Sequence, residues 1–408
     1  MKNLTFIILA ILLLTSCTCE KRKSAAQKWQ TVPTLNARDS SIIRNANKLS
    51  FSVFKELSDS FQNKNLVLSP LGIVCTINML NNGTDKEAKN EICNILQHSE
   101  DDISYVNNFY NKYLARLNEM YHFTSEDATA KLKMSNLLYA ASEVKISKSF
   151  TEMLKDCYFA DYLELRQKEN RAKVLDWIKT STDGAIDQID LLPDGSLGII
   201  NAISFSAPWS CRFDDSKLDS FYVDGKALKE VTMMTAEDNS ENTKYMYDEL
   251  YSMLCIPYAS EYRMIVLLPH NSVTIREVMD KLTMDKLFLS MDSLRHYEMI
   301  EIGLPKFSIK SDVEIVHALK KNGIRRMFCE NAWDITEAPI ALKQIRQTMT
   351  IDVNEDGTHA EAVTAEEWIT LSATDENSER AVFYANHPFL FFIFDSYSNL
   401  CFVGQYYG

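Results

Sequence analysis

The sequence predicts an α+β fold, and three observations carry that prediction. Helical periodicities fill the early part of the chain, apolar strand patterns fill the late part, and the two do not alternate strictly as a chain of βαβ units would. A chain of 408 residues, 46% of them apolar, can bury a sizeable core. No repeat, low-complexity tract or Pro/Gly/Ser-rich linker divides residues 46–408, so one continuous domain is the simplest organisation.

The elements follow in order. "DKEAKNEICNILQ" places Ala88, Ile92, Ile95 and Leu96 on one helical face. "DDISYVNNFYNKYLARLNEMYHF" repeats the pattern with Val106, Phe109, Tyr113, Leu117 and Met120, and both segments predict amphipathic helices. "SDVEIVHALKKNGI" predicts a helix that starts at Ser311 or Asp312 and is capped by Gly323. Strands are predicted at 264–269 ("MIVLLP"), 299–310 ("MIEIGLPKFSIK"), 347–353 ("QTMTIDV") and 387–395 ("HPFLFFIFD"). The last is almost continuously apolar, as a strand buried on both faces should be.

The N-terminus reads as a processing signal: Lys2, the apolar core "FIILAILLL", then "LTSC" ending at Cys17. It is short for a membrane-spanning helix. "LTSC" resembles the bacterial lipobox, which implies that residues 1–16 are removed and that Cys17 is lipidated; an ordinary secretory cut nearby is the alternative. Residues 17–45 are polar and read as a tether, with the domain at 46–408. The protein is then expected to be exported and lipid-anchored at a bacterial outer membrane, on its periplasmic or its outer face.

A formal charge of −13 without a basic stripe argues against nucleic acid. Beyond Cys17 and Cys19, seven cysteines stand singly in apolar segments without C-x-x-C spacing, which predicts buried free thiols rather than disulfides or zinc. No G-x-S-x-G, H-E-x-x-H, phosphate loop or dinucleotide fingerprint occurs, and His317 and His387 read as structural. Catalysis by the chain's own side chains is not expected, nor is a cofactor. "IDVNEDGTHAEAVTAEEW" (351–368) opens like an EF-hand loop, with Asp352, Asn354, Asp356 and Gly357 in place. Its twelfth position, however, is Val363, and a strand precedes it, so a calcium site is not expected.

Eight segments in order resemble the serpin family, over 46–406. They are "NLVLSPLGIVCTINMLNNG" (65–83), "LKMSNLLYA" (132–140), "VLDWIKTSTDGAID" (174–187), "IINAISFSAPWSCRFD" (199–214), Met233-Met234, "GLPKFSI" (303–309), "KNGIRRMF" (321–328) and "VFYANHPFLFFIF" (382–394). The resemblance implies a serpin fold of three β-sheets and eight or nine helices. It also implies an exposed reactive-centre loop, about 355–385, whose hinge begins at Glu355, Gly357 and Thr358. The loop would be cut by a target protease and enter a large sheet as a new strand, trapping the acyl-enzyme.

The residues support that use independently. Thr358, Ala360, Ala362 and Thr364 share one face of an extended strand and are all small, so they can pass between neighbouring strands. About a dozen new backbone hydrogen bonds at roughly 1 kcal/mol each would yield on the order of 10 kcal/mol. Taking Glu355 as the seventeenth residue before the cut, as the family does, puts the reactive bond at Leu371-Ser372. A leucine there implies chymotrypsin-like, elastase-like or papain-like targets. The loop is longer than usual, so Trp368-Ile369, Thr370-Leu371 and Arg380-Ala381 remain open, the last implying trypsin-like targets.

Other positions depart from the family pattern. Ser69 and Asn201 match its sheet-opening polar cluster, but Gln347 stands where a histidine is usual and Gly72 where a small hydroxyl is usual. Trp209 matches the tryptophan near the loop's entry point. Glu361 and Val363 interrupt the usual alanines, and Glu366 shares the inward register with Thr358, where burying a charge is costly. Two readings therefore stand: a monomeric suicide-substrate protease inhibitor, and a serpin-fold binding module whose loop does not insert. A calcium-dependent surface protein built on 352–357 is a third.

Overall fold

Helix formation begins before the point where the polar composition suggested a tether would end. The computed structural model describes residues 34–122, 130–140, 145–165, 168–181, 184, 196–223, 225–358 and 379–408. Helix α1 (Ala37–Ser60) starts where Asn36 Oδ1 accepts the amides of Arg38 and Asp39, at 2.8 and 3.0 Å. The sequence misleads because some of this helix's buried residues are polar. Asn45 and Asn47 are 8% and 1% exposed, and Asn47 is satisfied by Ser398 O and the amide of Leu400, at 2.8 and 2.9 Å. Helix α1 thus includes residues 37–45, which the composition assigned to the tether.

After the short strand β1 (Leu66–Leu68), α2 (Pro70–Asn81) has a Ser69 cap and Pro70 in its first turn, and every one of its residues is buried. Helix α3 (Lys86–Leu96) is capped by Asp85, and its buried face holds Ala88, Ile92, Cys93 and Leu96, so Cys93 takes the place expected of Ile95. Helix α4 (Ile103–His122) buries Val106, Phe109, Tyr113 and Leu117, as its spacing requires. Next come β2 (Lys131–Ala140), α5 (Lys148–Tyr158), β3 (Ala160–Glu164), α6 (Lys168–Ser181) and β4 (Ser196–Pro208).

The remaining strands are β5 (Asp215–Val223), β6 (Lys226–Asp238), β7 (Lys244–Tyr247), β8 (Tyr251–Pro257) and β9 (Arg263–Pro269). Helices α7 (Ile275–Lys281) and α8 (Met284–Asp292) lead to β10 (Met299–Pro305) and β11 (Phe307–Glu314). The helix expected from Ser311 or Asp312 is corrected here. Residues 307–314 alternate strictly between buried and exposed, which is a strand, and α9 spans only Val316–Lys321. Gly323 does end it, at φ +96°, where a side chain would be strained. His317 is exposed on this helix rather than turned to its apolar side.

The chain closes with β12 (Ala341–Val353), β13 (Gly357–Thr358), β14 (Arg380–Tyr384), β15 (Phe389–Phe394) and β16 (Leu400–Tyr406). Among the described residues nine helices accompany three sheets, in the orders β1-β16-β15-β9-β8-β7, β14-β10-β6-β5 and β11-β12-β13-β4-β2-β3. The α+β expectation holds. Strand β15 is buried along its whole length, and Phe205 of β4 meets Tyr258, Tyr262 and Phe402 at ring-centroid distances of 5.1 to 5.5 Å, packing the third sheet onto the first. Cys75, Cys93, Cys255 and Cys401 are buried free thiols, but Cys157 is half-buried and Cys211 and Cys329 are exposed, a correction to the expectation that all would be buried.

Candidate functional site

Strands β4 and β12 lie side by side in parallel, in the middle of the third sheet, from Ala341↔Ser196 to Met349↔Ile203. Beyond Met349 they part. The gap is filled by β13, whose Thr358 pairs with Val353 on one side and Ala207 on the other. The chain reaches that gap through a tight reversal at 354–357, where Asn354 Oδ1 accepts the amides of Asp356 and Gly357 at 2.9 and 3.0 Å. The residues that resembled a calcium loop therefore form a β-hairpin turn. Asp356 is committed to Arg212, at 3.1 Å.

Of the residues expected to form the hinge, Glu355, Gly357 and Thr358 are described, and they lie in or beside this turn. Gly357 is required because a Cβ there would lie 2.2 Å from the carbonyl oxygen of Ala207, and backbone cannot yield. Thr358 is fully buried, and its hydroxyl shares a 2.6 Å hydrogen bond with Tyr258 Oη, so the inward register read from the sequence begins inward. Glu355 pairs with Lys306 Nζ at 3.0 Å, and its carbonyl accepts the amide of Phe213. Desolvation pushes its carboxyl up, but a backbone hydrogen bond, Lys306 and Ser216 outweigh it and hold the group below its ordinary value.

Trp209 completes the clasp. Its indole Nε1 donates to Asn354 O at 2.9 Å, its amide donates to Asp356 O at 2.9 Å, and its ring stacks on Tyr258 at 4.4 Å and 12°. Packing on Tyr258 and contact with the turn are both made by one residue.

Below the gap the seam is closed by the polar cluster. Asn136, Asn201 and Gln347 form one row across β2, β4 and β12. Asn201 Nδ2 donates to Asn136 Oδ1 at 2.7 Å, and Gln347 Nε2 donates to Asn201 Oδ1 and to Ser69 O, both at 3.0 Å. Gln347 Oε1 accepts the amide of Ser69 at 2.7 Å, and Ser69 Oγ donates to Cys401 O at 2.7 Å. An amide thus serves both as donor and as acceptor at this position. Gly72 makes room for it: a Cβ there would lie 2.2 Å from Asn201 Oδ1 and 2.8 Å from Gln347 Nε2.

Not every expected residue falls in the site. Ala360, Ala362, Thr364, Trp368, Ile369, Thr370, Leu371 and Ser372 lie outside the described residues, as does Cys17. Arg380 is in the structure but not in a loop. It opens β14, is itself exposed and is paired with Met299 in the parallel ladder of β14 and β10, while Ala381 is buried. His387 has both ring nitrogens engaged, by Asn386 Oδ1 at 3.0 Å and Pro269 O at 2.6 Å, as a structural histidine should.

Three sheets and nine described helices, with Gly357 and Thr358 between two central strands of the third sheet, define the class: this is the serpin fold. The family model for the serpins, serine protease inhibitors, matches residues 44–408, and the chain belongs to that family, whose members act on proteases as inhibitors rather than as enzymes. Serine proteinase inhibitor 1 of vaccinia virus (strain Copenhagen) is 26% identical over 376 residues, covering 87% of this chain and 98% of its own. Human serpin B4 is 25% identical over 388 residues, covering 88% and 97%. Among solved structures, the native thermophilic serpin tengpin superposes with a TM-score of 0.75 at 23% identity, over 93% of this chain and 96% of tengpin.

Proposed function

We propose that the protein inhibits serine proteases as a suicide substrate. A protease would attack the loop beyond Thr358, form an acyl-enzyme, and be carried along as the cut loop zips into the seam between β4 and β12. Deacylation needs the protease's catalytic groups in register, and displacement removes that geometry. The observation that supports the reading is that Gly357 and Thr358 lie between β12 and β4, where an incoming strand would have to start. Leu371-Ser372 is the bond favoured by counting from Glu355, with chymotrypsin-like, elastase-like or papain-like targets. Lipidation at Cys17 would hold the inhibitor, as a monomer, at a bacterial outer membrane.

The second reading, a binding module whose loop is cut but does not insert, is favoured by Glu366 in the inward register. Incubation with chymotrypsin, elastase and trypsin, followed by denaturing gels and mass spectrometry of the released C-terminal peptide, separates the two. The inhibitor reading expects a covalent band and a peptide that begins at Ser372. Cleavage without any covalent band gives first place to the binding module.

A further inference from the structure

The polar row on the inner face of the seam has a counterpart three residues away on the outer face. Tyr139 of β2 and Gln344 of β12 are both in register with Gly198 of β4. With no side chain at Gly198, the Tyr139 ring lies directly over the strand: a Cβ there would be 2.1 Å from the ring. The phenol therefore reaches across the full width of β4, and its hydroxyl donates a 2.6 Å hydrogen bond to Gln344 Oε1. Tyr139 is fully buried and Gln344 is 5% exposed. Tyr139 shares a buried apolar cluster with Val174 and Ile178 of α6 and with Leu165 and Ile200. The ladder slips between Leu342 and Gln344, so this tie lies in the last regular row of the seam.

We infer that Tyr139 is a positioning residue that straps the seam shut on its outer face and sets how fast the sheet accepts a new strand. The inference rests on the insertion reading given above. Strand β2 is now two strand spacings from β12, about 10 Å; a strand entering between β4 and β12 makes it three, about 14 Å. A phenol cannot span that distance. The bond exists only before insertion and must break before the incoming strand passes this row, so its energy adds to the barrier and not to the product. Tyr139 and Gln344 act as one unit in this, because either side of the strap is useless without the other.

The test uses the full-length protein with Tyr139→Phe, with Gln344→Leu, and with both. A synthetic peptide of residues 357–368 serves as the incoming strand, and its annealing is followed by native gel and by thermal unfolding. Each single variant is expected to take up the peptide about fivefold faster than the parent, and the double variant no faster than the singles. The uncut form of each variant should melt lower, while the peptide-filled form should melt with the parent, because the strap is absent from it. A purely structural role would lower both forms alike, and that result, or annealing within twofold of the parent, overturns the inference alone. If one variant fails to fold, the other still reports, since the two lie on different strands. A parent that neither anneals the peptide nor gains stability when its loop is cut overturns the insertion reading, and this inference with it.

Discussion

The two ends of the seam between β4 and β12 differ in what fills them. At the upper end the strands have parted, and Gly357 and Thr358 stand between them, after a turn held by Trp209, Lys306 and Arg212 through Asn354, Glu355 and Asp356. At the lower end the strands touch directly and are tied on both faces, by Asn201 and Gln347 within and by Tyr139 and Gln344 without. Backbone pairing is satisfied in both places, so hydrogen-bond count does not explain the difference. The difference lies in side chains: small residues stand at the open end and long polar ones at the closed end. A strand proposed to enter this sheet would therefore start at the hinge without resistance and meet its barrier at the two polar rows.

Changes at the closed end should break this comparison most severely. Asn201→Leu leaves the buried amides of Asn136 and Gln347 each without one partner, and the uncut protein should lose about 3 kcal/mol in denaturant unfolding. A loss under 1 kcal/mol would show that the inner row does not tie the seam. Next comes Gly357→Ala, which drives a methyl into the Ala207 carbonyl and should cost about 2 kcal/mol while unseating the hinge. Hydrogen exchange at the Thr358 amide should rise in that variant and stay unchanged at Gln347, since only the open end is disturbed.

Smaller effects sharpen the picture. Trp209→Phe keeps an aromatic ring against Tyr258 but loses the bond to Asn354 O, for about 1 kcal/mol. Glu355→Gln removes an ion pair whose lysine is half-exposed, so about 0.5 kcal/mol is expected near neutral pH. The pH dependence gives the sign. Glu355 is held below its ordinary value of 4.5, so its contribution is full above that value and is lost as pH falls through the lower folded value. The parent and Glu355→Gln should converge in stability as pH falls from 4.5 through that lower folded value.

The turn at 354–357 was legible because its residues are special for physical reasons that a sequence displays. A glycine followed by a small hydroxyl, after a strand rich in Thr, Ile and Val, marks a turn into an extended segment, and Gly357 and Thr358 lie there. Strand β15 was legible because nothing but burial on both faces tolerates "FLFFIF". Residues 311–314 were misread because "SDVEIVHALKK" carries both periods at once, and pairing with Met349 to Arg346 decides for strand. The tie from Tyr139 to Gln344 was not legible, because it joins residues 205 positions apart through a third strand. Gly198 was its signal: a glycine inside an apolar strand pattern marks close approach of a neighbour, but not which one.

The central claim is that the open end of the seam accepts the rest of the loop once the loop is cut. Thermal unfolding of the protein before and after a single loop cleavage, with the cut located by mass spectrometry, tests it most directly. Insertion worth on the order of 10 kcal/mol should raise the melting temperature by at least about 10 °C. A cut chain that melts with the uncut one would contradict the account, because the gap above Met349 would then be a finished structure and not an entrance.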